Sequence, residues 1–297
     1  MVNVSKRPVA LARHWNDPLP CIMKRCRPAV VLLLASVTLP PPMQAESPQM
    51  QGSAVWAWDS LEPFPTGVGE RRDVVDLPTA MLEGLECHIS TLNPGNESHP
   101  QHKHAREEFI ILKEGTLDVI INGVAHRVGP GSLFFFAAND FHSVNNVGDV
   151  PATYLVFNVQ TAATHTAPEA GAAQTAAPGT LASQVYEWND LAVQPTKQGE
   201  RRVVFDAPTV TLRQLECHIT TLHAGLTPHA GHRHPDEEII VVKDGTVEAT
   251  INGAAQTAGP GSIIFFASND EHALRNVGDS DATYYVFRFV SEATPTA

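Results

Sequence analysis

The chain of 297 residues is long enough for two modest domains or one large one. Its hydrophobic content of 43% supports a packed core, and its 23 prolines and 20 glycines favour a turn-rich β protein over a helical one. A formal net charge of −12 argues against nucleic acid and anionic membranes as partners.

The first 45 residues have the pattern of a secretory signal peptide. A basic segment at 24–28 precedes an apolar run at 29–39, and the small residue Ala45 comes immediately before Glu46. The run is too short to span a bilayer comfortably, which favours cleavage over the alternative of an uncleaved membrane anchor. Met23 is a candidate for the true start. We therefore expect a periplasmic or secreted protein with no stable membrane association after cleavage.

The rest of the chain repeats itself at a constant offset of 130 residues. The segment ERR at 70–72 returns at 200–202, and LECHI at 85–89 returns at 215–219. A repeat of this length indicates two copies of one domain. We place them at 51–160 and 181–293, joined by an Ala-, Thr- and Pro-rich linker at 161–180.

Within each copy, short apolar runs alternate with turn residues. In copy one these turns are KEG at 113–115 and NG at 122–123, and both recur in copy two. They are hairpin signals, because Gly and Asn accept positive φ. Many closely spaced strands without a helical pattern predict an all-β sandwich or barrel.

The mature chain keeps two cysteines, Cys87 and Cys217, at equivalent positions of the two copies. Two cysteines exclude a disulfide framework. We expect buried free thiols rather than a bridge or a reactive pair.

One set of side chains in each copy has the composition of a metal site. The candidate ligands are His102, His104, Glu108 and His142 in copy one, and His232, His234, Glu238 and His272 in copy two. Side chains two positions apart on a strand share a face, which brings the first three of each set together, and the last histidine can return to the same barrel mouth. Three imidazoles and a carboxylate suit one divalent transition metal per copy, such as Mn, Fe, Ni, Cu or Zn.

These residues resemble the two motifs of the cupin superfamily, and the doubled chain resembles a bicupin of the cupin_2 type. The first motif is carried by Gly95, His102, His104, Glu108 and Gly115, with Gly225, His232, His234, Glu238 and Gly245 in copy two, and the second by Gly131, His142 and Asn146, with Gly261, His272 and Asn276. The resemblance implies two tandem jelly-roll barrels (double-stranded β-helices), each with a metal inside one mouth. It departs from the family at Ala137 and Ala267, where Pro is usual, and at Asn139 and Asn269, where Gly is usual. Asn tolerates left-handed backbone, so that turn can survive.

Two further histidine pairs lie close to the motifs. His99 and His229 precede the first ligand by three residues. Each is either a proton shuttle or substrate contact, or a polar loop residue without a functional role. His88 and His218 alternate with the cysteines. They either line the pocket, as substrate-facing or supporting groups, or pack between sheets, which we favour.

The remaining polar and aromatic positions receive structural predictions. Asn146 and Asn276 are expected to hold a turn, and Glu107 and Glu237, of opposite parity to the ligand glutamates, to be solvated or salt-bridged. Trp58, Trp188 and the arginine pairs at 71–72 and 201–202 are expected to form packing and salt-bridge elements at the barrel base or interface.

The leading functional hypothesis is an exported metal-dependent enzyme of the oxygenase or oxidase type that acts on a small oxygenated molecule. No nucleophile elbow, phosphate loop or catalytic triad is present, so we assign no catalytic nucleophile. The resemblance also leaves open a sugar isomerase and a decarboxylase, although the strands LECHISTL and LECHITTL offer no arginine for the latter. The alternative from another class is a non-catalytic periplasmic protein that binds a metal or small ligand. The resemblance also allows a homo-oligomer.

Overall fold

The computed structural model describes residues 49–169 and 177–295. The predicted signal peptide and residues 170–176 of the predicted linker lie outside the described residues. Within the described ranges no helix is both long enough and apolar enough to cross a membrane. The described part of the linker contains a short 3₁₀ helix, Ala162–Thr166, whose Thr164 is buried.

Copy one and copy two each consist of ten short strands. The NG turn at 122–123 closes a hairpin, as predicted, but the KEG turn at 113–115 connects strands of two different sheets, so the hairpin predicted there is wrong. Copy one contains β1 (Ala54–Trp56), β2 (Phe64–Pro65), β3 (Gly69–Leu77), β4 (Gly84–Leu92), β5 (Glu107–Glu114), β6 (Leu117–Ile121), β7 (Val124–Val128), β8 (Leu133–Phe136), β9 (His142–Asn146) and β10 (Ala152–Gln160). Copy two contains β11 (Gln184–Tyr186), β12 (Gln194–Pro195), β13 (Gly199–Ala207), β14 (Gln214–Leu222), β15 (Glu237–Asp244), β16 (Val247–Ile251), β17 (Ala254–Ala258), β18 (Ile263–Phe266), β19 (His272–Asn276) and β20 (Ala282–Val290). Two three-residue 3₁₀ helices, Trp58–Ser60 and Trp188–Asp190, accompany them.

Each barrel consists of a seven-stranded and a three-stranded antiparallel sheet. In the first barrel the strand orders are β11-β8-β5-β10-β4-β3-β2 and β7-β6-β9. Side chains from both sheets, including Ile110, Phe134, Val119 and Val144, form one apolar cluster inside the barrel. The second barrel repeats this arrangement with its own cluster. The predicted all-β architecture of two jelly-roll barrels is confirmed.

The first strand of each copy pairs with the other barrel. Strand β1 of copy one lies antiparallel to β18 of copy two, with Val55 opposite Ile264. Strand β11 of copy two lies against β8 of copy one in the same way, with Val185 opposite Phe134. The exchange is reciprocal, so each seven-stranded sheet contains an edge strand from the other copy.

A second apolar cluster joins the two copies through the outer faces of the large sheets. Phe109 of β5 stacks on Phe287 of β20 with ring centroids 4.3 Å apart and on Phe157 at 4.8 Å. Cys87 and Cys217 belong to this cluster, and both are buried free thiols, as predicted. Burying these faces stabilises the pair of barrels by the ordinary hydrophobic effect.

The two tryptophans confirm the interface role predicted for them. The Trp58 ring covers Gly261 of copy two so closely that a Cβ atom there would lie 2.4 Å from the ring. Gly261 also has a φ of 85°. Both this backbone conformation and the close contact with the Trp58 ring require glycine at this position. Arg72 and Lys113 stack on the Trp58 ring at 4.7 and 4.8 Å.

The prediction that Glu107 and Glu237 are solvated or salt-bridged is wrong. Both side chains are fully buried between the barrels. Glu107 accepts hydrogen bonds from the hydroxyls of Thr209 (2.5 Å) and Thr211 (2.6 Å) of the other copy. Glu237 accepts one from Thr79 at 2.5 Å, and burial raises the pKa of Glu237 to about 7. The parity was read correctly, but the outer face of the sheet is covered by the second barrel rather than by water.

We expect the hydrogen bonds to Glu107 to contribute measurably to the stability of the paired barrels. Thr211→Val removes one donor to a buried carboxyl while keeping the side-chain shape, and should lower the free energy of unfolding by about 1–3 kcal/mol. The exposed Thr257, on β17, provides the matched control, and Thr257→Val should change stability by no more than about 0.5 kcal/mol. Equal denaturant midpoints for the two variants would contradict the assignment.

Candidate metal centres

The backbone brings the two cupin motifs of each copy together. His102 and His142 exchange backbone hydrogen bonds, N to O, of 3.1 and 2.8 Å. His232 and His272 do the same at 3.0 and 2.9 Å. These bridges place the loop before β5 or β15 beside the start of β9 or β19. Residues 40 positions apart in the sequence therefore meet at one barrel mouth.

Three histidines converge in each copy. In each triad, His102–His104–His142 and His232–His234–His272, one candidate ligand atom per residue lies within 4.8 Å of the others. The glutamate of each set is close to them. Glu108 Oε2 lies 3.6 Å from His104 Nε2, and Glu238 Oε2 lies 3.8 Å from His234 Nε2. Each triad could hold one metal ion, with the glutamate beside it as the fourth predicted ligand.

Backbone carbonyls orient the imidazole rings. His104 Nδ1 donates to the Arg106 carbonyl, and His142 Nδ1 donates to the Asp140 carbonyl, both at 2.8 Å. The His142 ring also stacks on Phe136, with centroids 4.2 Å apart. Such contacts fix the tautomer that leaves Nε2 with a free lone pair, as in known metal-binding histidines.

An unpaired nitrogen in each copy supports the fit of a metal. His142 Nε2 and His272 Nε2 are both buried, and neither has a hydrogen-bond partner among the described residues. A buried polar atom without a partner is costly, and a bound cation would satisfy it. The donor set of imidazole nitrogens with one carboxylate is typical of divalent transition metals.

Burial lowers the pKa of two imidazoles in each triad, His102 and His142 in copy one and His232 and His272 in copy two. The pKa of the third is raised, because Glu108 outweighs burial at His104 and Asp236 stabilises the charged form of His234. Desolvation and neighbouring histidines lower the pKa of His102 to about 4, and desolvation lowers that of His272 to about 4. Both rings are therefore neutral near pH 7, as coordination requires. The carboxylates differ: burial raises the pKa of Glu238 to about 7, whereas the neighbouring His104 and His142 outweigh burial and lower the pKa of Glu108.

His88 and His218 line the barrel cavities, so the favoured prediction of packing between sheets is wrong. The cysteine of each LECHI segment takes the interface side, and the alternating histidine therefore points inward. His88 Nδ1 lies 2.7 Å from Glu86 Oε1, and Glu86 also accepts from Arg71 Nη2 at 3.0 Å.

Copy two has the same arrangement of arginine, glutamate and histidine. Glu216 Oε1 accepts from Arg201 at 3.2 Å and lies 2.7 Å from His218 Nδ1. The arginine pairs are predicted to be packing and salt-bridge elements at the barrel base or interface, and this holds for Arg72 and Arg202, which stack on tryptophan rings. Arg71 and Arg201 form the predicted salt bridges, to Glu86 and Glu216, but the predicted location is wrong, because both line the cavities. Strand alternation separates the two members of each pair.

The other sequence-selected residues are found near the same mouths. The His99 ring contacts His102 edge-on at 3.9 Å between centroids, and His229 contacts His232 at 4.4 Å, so both border the candidate sites. Asn146 holds a turn, as predicted, through bonds from Nδ2 to the carbonyls of Leu92 and Val150.

The two left-handed asparagines also match the prediction. Asn139 and Asn269 have φ values of 62° and 61°. Each therefore occupies the backbone region that the family usually assigns to glycine at this turn.

Comparison with known families identifies the two domains. The cupin domain model matches residues 88–158 and 218–288. The chain therefore contains two cupin domains in tandem, and it is a bicupin.

Three solved structures share this fold. AerE from Microcystis aeruginosa has a TM-score of 0.59 and 15% identity, over 78% of this chain and 97% of that one. The oxalate decarboxylase of Lactobacillus farciminis, solved as a formate complex, has a TM-score of 0.59 and 16% identity, over 82% and 89%. A Bacillus subtilis oxalate decarboxylase described with Mn(II) centres has a TM-score of 0.59 and 16% identity, over 84% and 79%. At these identities the likeness is one of fold.

A curated relative matches over a short segment. The transcriptional activator RhaS of Mannheimia succiniciproducens is 35% identical over 60 residues, which are 20% of this chain and 22% of that protein. The chain spans only about a fifth of that relative, and the match carries no argument about activity.

We expect the two histidine triads to bind one metal each and to do so independently. His104→Ala and His234→Ala should each reduce the metal content after reconstitution from two ions per chain to one, and the double variant should bind none. Elemental analysis after gel filtration measures this content. His126, exposed on β7, gives the control His126→Ala, which should retain both ions. Unchanged content in the double variant would contradict the site.

Proposed function

We propose that the chain is an exported metal-dependent enzyme that acts on a small oxygenated molecule. The observation that carries the proposal is the presence, in each barrel, of three converging histidines with a glutamate beside them. The whole set lines the cavity in copy two, and Glu108 and His142 line it in copy one. His102, His104, Glu108 and His142 would hold the metal in copy one, and His232, His234, Glu238 and His272 in copy two. A homo-oligomer is compatible with this proposal.

A bound divalent metal would supply Lewis-acid or redox chemistry to a coordinated substrate oxygen. The chain's own residues bind and orient that substrate. Arg71 or Arg201 would hold an anionic oxygen through the guanidinium N–H groups that Glu86 or Glu216 leaves free.

A proton-handling group lies in the same cavity. The Nδ1 contact of His88 with Glu86 leaves Nε2 of that ring to accept or donate a proton in the cavity. His218 and Glu216 would do the same in copy two. His99 and His229, at the rims, remain candidates for substrate contact.

An oxygenase or oxidase reaction is the first version of the proposal. If a six-coordinate metal bound three imidazoles and one oxygen of the carboxylate, two positions would stay open for a substrate oxygen and O₂. A chelating enolate, diol or carboxylate is the class of substrate that such a site orients.

Decarboxylation is the second version, and the cavity arginines favour it. The sequence argument against it was the lack of arginine on the strands preceding the motifs. Arg71 and Arg201 reach the cavities from β3 and β13 instead, so that argument no longer holds. Two similar solved structures are oxalate decarboxylases. Sugar isomerisation and non-catalytic binding of a metal or small ligand are the remaining alternatives.

One assay separates these versions. The metal-loaded chain is incubated with a panel of small diols, enols and carboxylates, oxalate included, while O₂ uptake and CO₂ release are both recorded. We expect turnover with O₂ uptake for an oxygenase or oxidase, and CO₂ release without net O₂ uptake for a decarboxylase. His104→Ala with His234→Ala should reduce turnover at least about 100-fold, since each step depends on the metal. A metal-loaded chain that turns over no compound would support the non-catalytic alternative.

We also propose that the chain is exported, which rests on the signal pattern of residues 1–45. Expression in a bacterial host with a Sec pathway should give a periplasmic protein whose first residue, by N-terminal sequencing, is Glu46. Changing Leu32 and Leu33 to Arg should retain the precursor in the cytoplasm. A full-length chain recovered in the cytoplasmic fraction without this change would contradict export.

A further inference from the structure

The two cavities differ at one inward-facing position of the last strand. In copy one this position is Asn158 on β10, and in copy two it is Arg288 on β20. Each lies opposite the candidate ligand glutamate of its own copy, with Asn158 paired to Glu108 and Arg288 to Glu238. The substitution therefore places a guanidinium opposite the candidate ligand glutamate in copy two only.

In copy one the asparagine completes a closed hydrogen-bond network. Asn158 Nδ2 donates to Glu86 Oε2 at 2.9 Å, while Glu86 Oε1 is held by Arg71 and His88. Both carboxylate oxygens of Glu86 are thus satisfied by protein groups. The Glu86 carboxylate in the wall of the first cavity therefore has hydrogen-bond partners on both oxygens without a ligand.

In copy two the corresponding network is open. Arg288 Nε donates to Asp236 Oδ2 at 2.7 Å, and Nη2 donates to the same oxygen, so the guanidinium is drawn away from Glu216. Glu216 Oε2 is left buried without a hydrogen-bond partner among the described residues. The position of Asp236 is taken in copy one by Arg106, which bonds to Gln160 instead.

Arg288 retains donors that a ligand can use. A guanidinium has five N–H donors, and in the described part of the chain no hydrogen bond involves Arg288 Nη1. The side chain is 43% exposed and lines the second cavity together with Arg201. Arginine with two free N–H groups in a cavity wall is suited to a carboxylate.

The cavities also differ in size. The second has a volume of about 600 Å³ and the first of about 210 Å³. The second cavity has room for a ligand that spans from the metal centre to Arg288.

We infer that the second barrel is the site for a small dicarboxylate, with one carboxylate at the candidate metal centre and the other on Arg288. This rests on the proposed function, because the metal takes the first carboxylate. Copy one keeps the guanidinium of Arg71, but it has Asn158 in place of Arg288 and a cavity of only about 210 Å³, so we expect it not to hold a ligand of this length. Arg288 is accordingly a specificity-determining residue of copy two.

Succinate and acetate are the probes, since they differ by the second carboxylate. Calorimetric titrations use chains with one triad disabled, either His102→Ala with His142→Ala or His232→Ala with His272→Ala, with and without metal. We expect succinate to bind only where copy two is intact. Arg288→Asn, which installs the copy-one residue, should weaken succinate about tenfold or more and leave acetate unchanged. Arg288→Lys keeps the charge but loses the two parallel N–H donors of the guanidinium. Its affinity for succinate should lie between those of the unchanged chain and Arg288→Asn.

The matched control is Asn158→Arg, which alters copy one alone and should leave succinate binding to copy two unchanged. Three results would overturn the inference: no succinate binding by the chain with copy two intact, equal affinity before and after Arg288→Asn, or equal weakening of succinate and acetate. Elemental analysis of the same samples tests the metal proposal separately. If the chain contains no metal but succinate binding still weakens in Arg288→Asn, copy two has a dicarboxylate site and the proposed metal chemistry is wrong.

Discussion

Strict alternation along the central strands is the constraint on which the rest of the structure depends. On β5, Phe109 and Ile111 face the other barrel, while Glu108, Ile110 and Leu112 face the interior of their own. One strand therefore contributes both to the contact between barrels and to the candidate metal centre. A register slip of one residue would send the ligand glutamate into the interface and an apolar residue to the cavity. The large buried phenylalanines between the copies make such a slip costly, and in this way the interface fixes the geometry of the site.

Much of this could be predicted from the sequence because it depends on local pattern. The offset repeat gives two domains, the turn residues give strand ends, and the spacing of the motif identifies His102, His104 and Glu108. Strand parity is not what brings them together, because both histidines lie in the loop before β5, where backbone hydrogen bonds between His102 and His142 hold them. The sequence does not show which outward faces of the sheets are covered by another part of the protein. Glu107 was correctly placed opposite Glu108, but only the second barrel shows that the outer face is dry. The exchange of β1 and β11 between the two large sheets also depends on tertiary packing. A strand of three residues has no sequence pattern that predicts which sheet it joins.

The two copies have the same candidate metal centre but different cavity walls. The candidate ligands, the orienting carbonyls and the buried nitrogens recur in both copies with nearly the same distances. The cavity wall differs, since Asn158 completes a hydrogen-bond network that stays incomplete around Arg288. Two metal centres of one type with two different cavity walls are compatible with a division of roles between the barrels. Arg71 and Arg201 supply the common feature, a guanidinium in each cavity, and either chemistry that we propose uses it.

The central claim is that each barrel holds one transition metal on three histidines and one glutamate. The most direct measurement is X-ray absorption spectroscopy of the metal-loaded chain, compared with the variants that leave a single triad. The account predicts a first shell with three imidazole nitrogens and at least one carboxylate oxygen in either single-triad chain. A shell without imidazole scattering, or the same spectrum after both triads are removed, would contradict it.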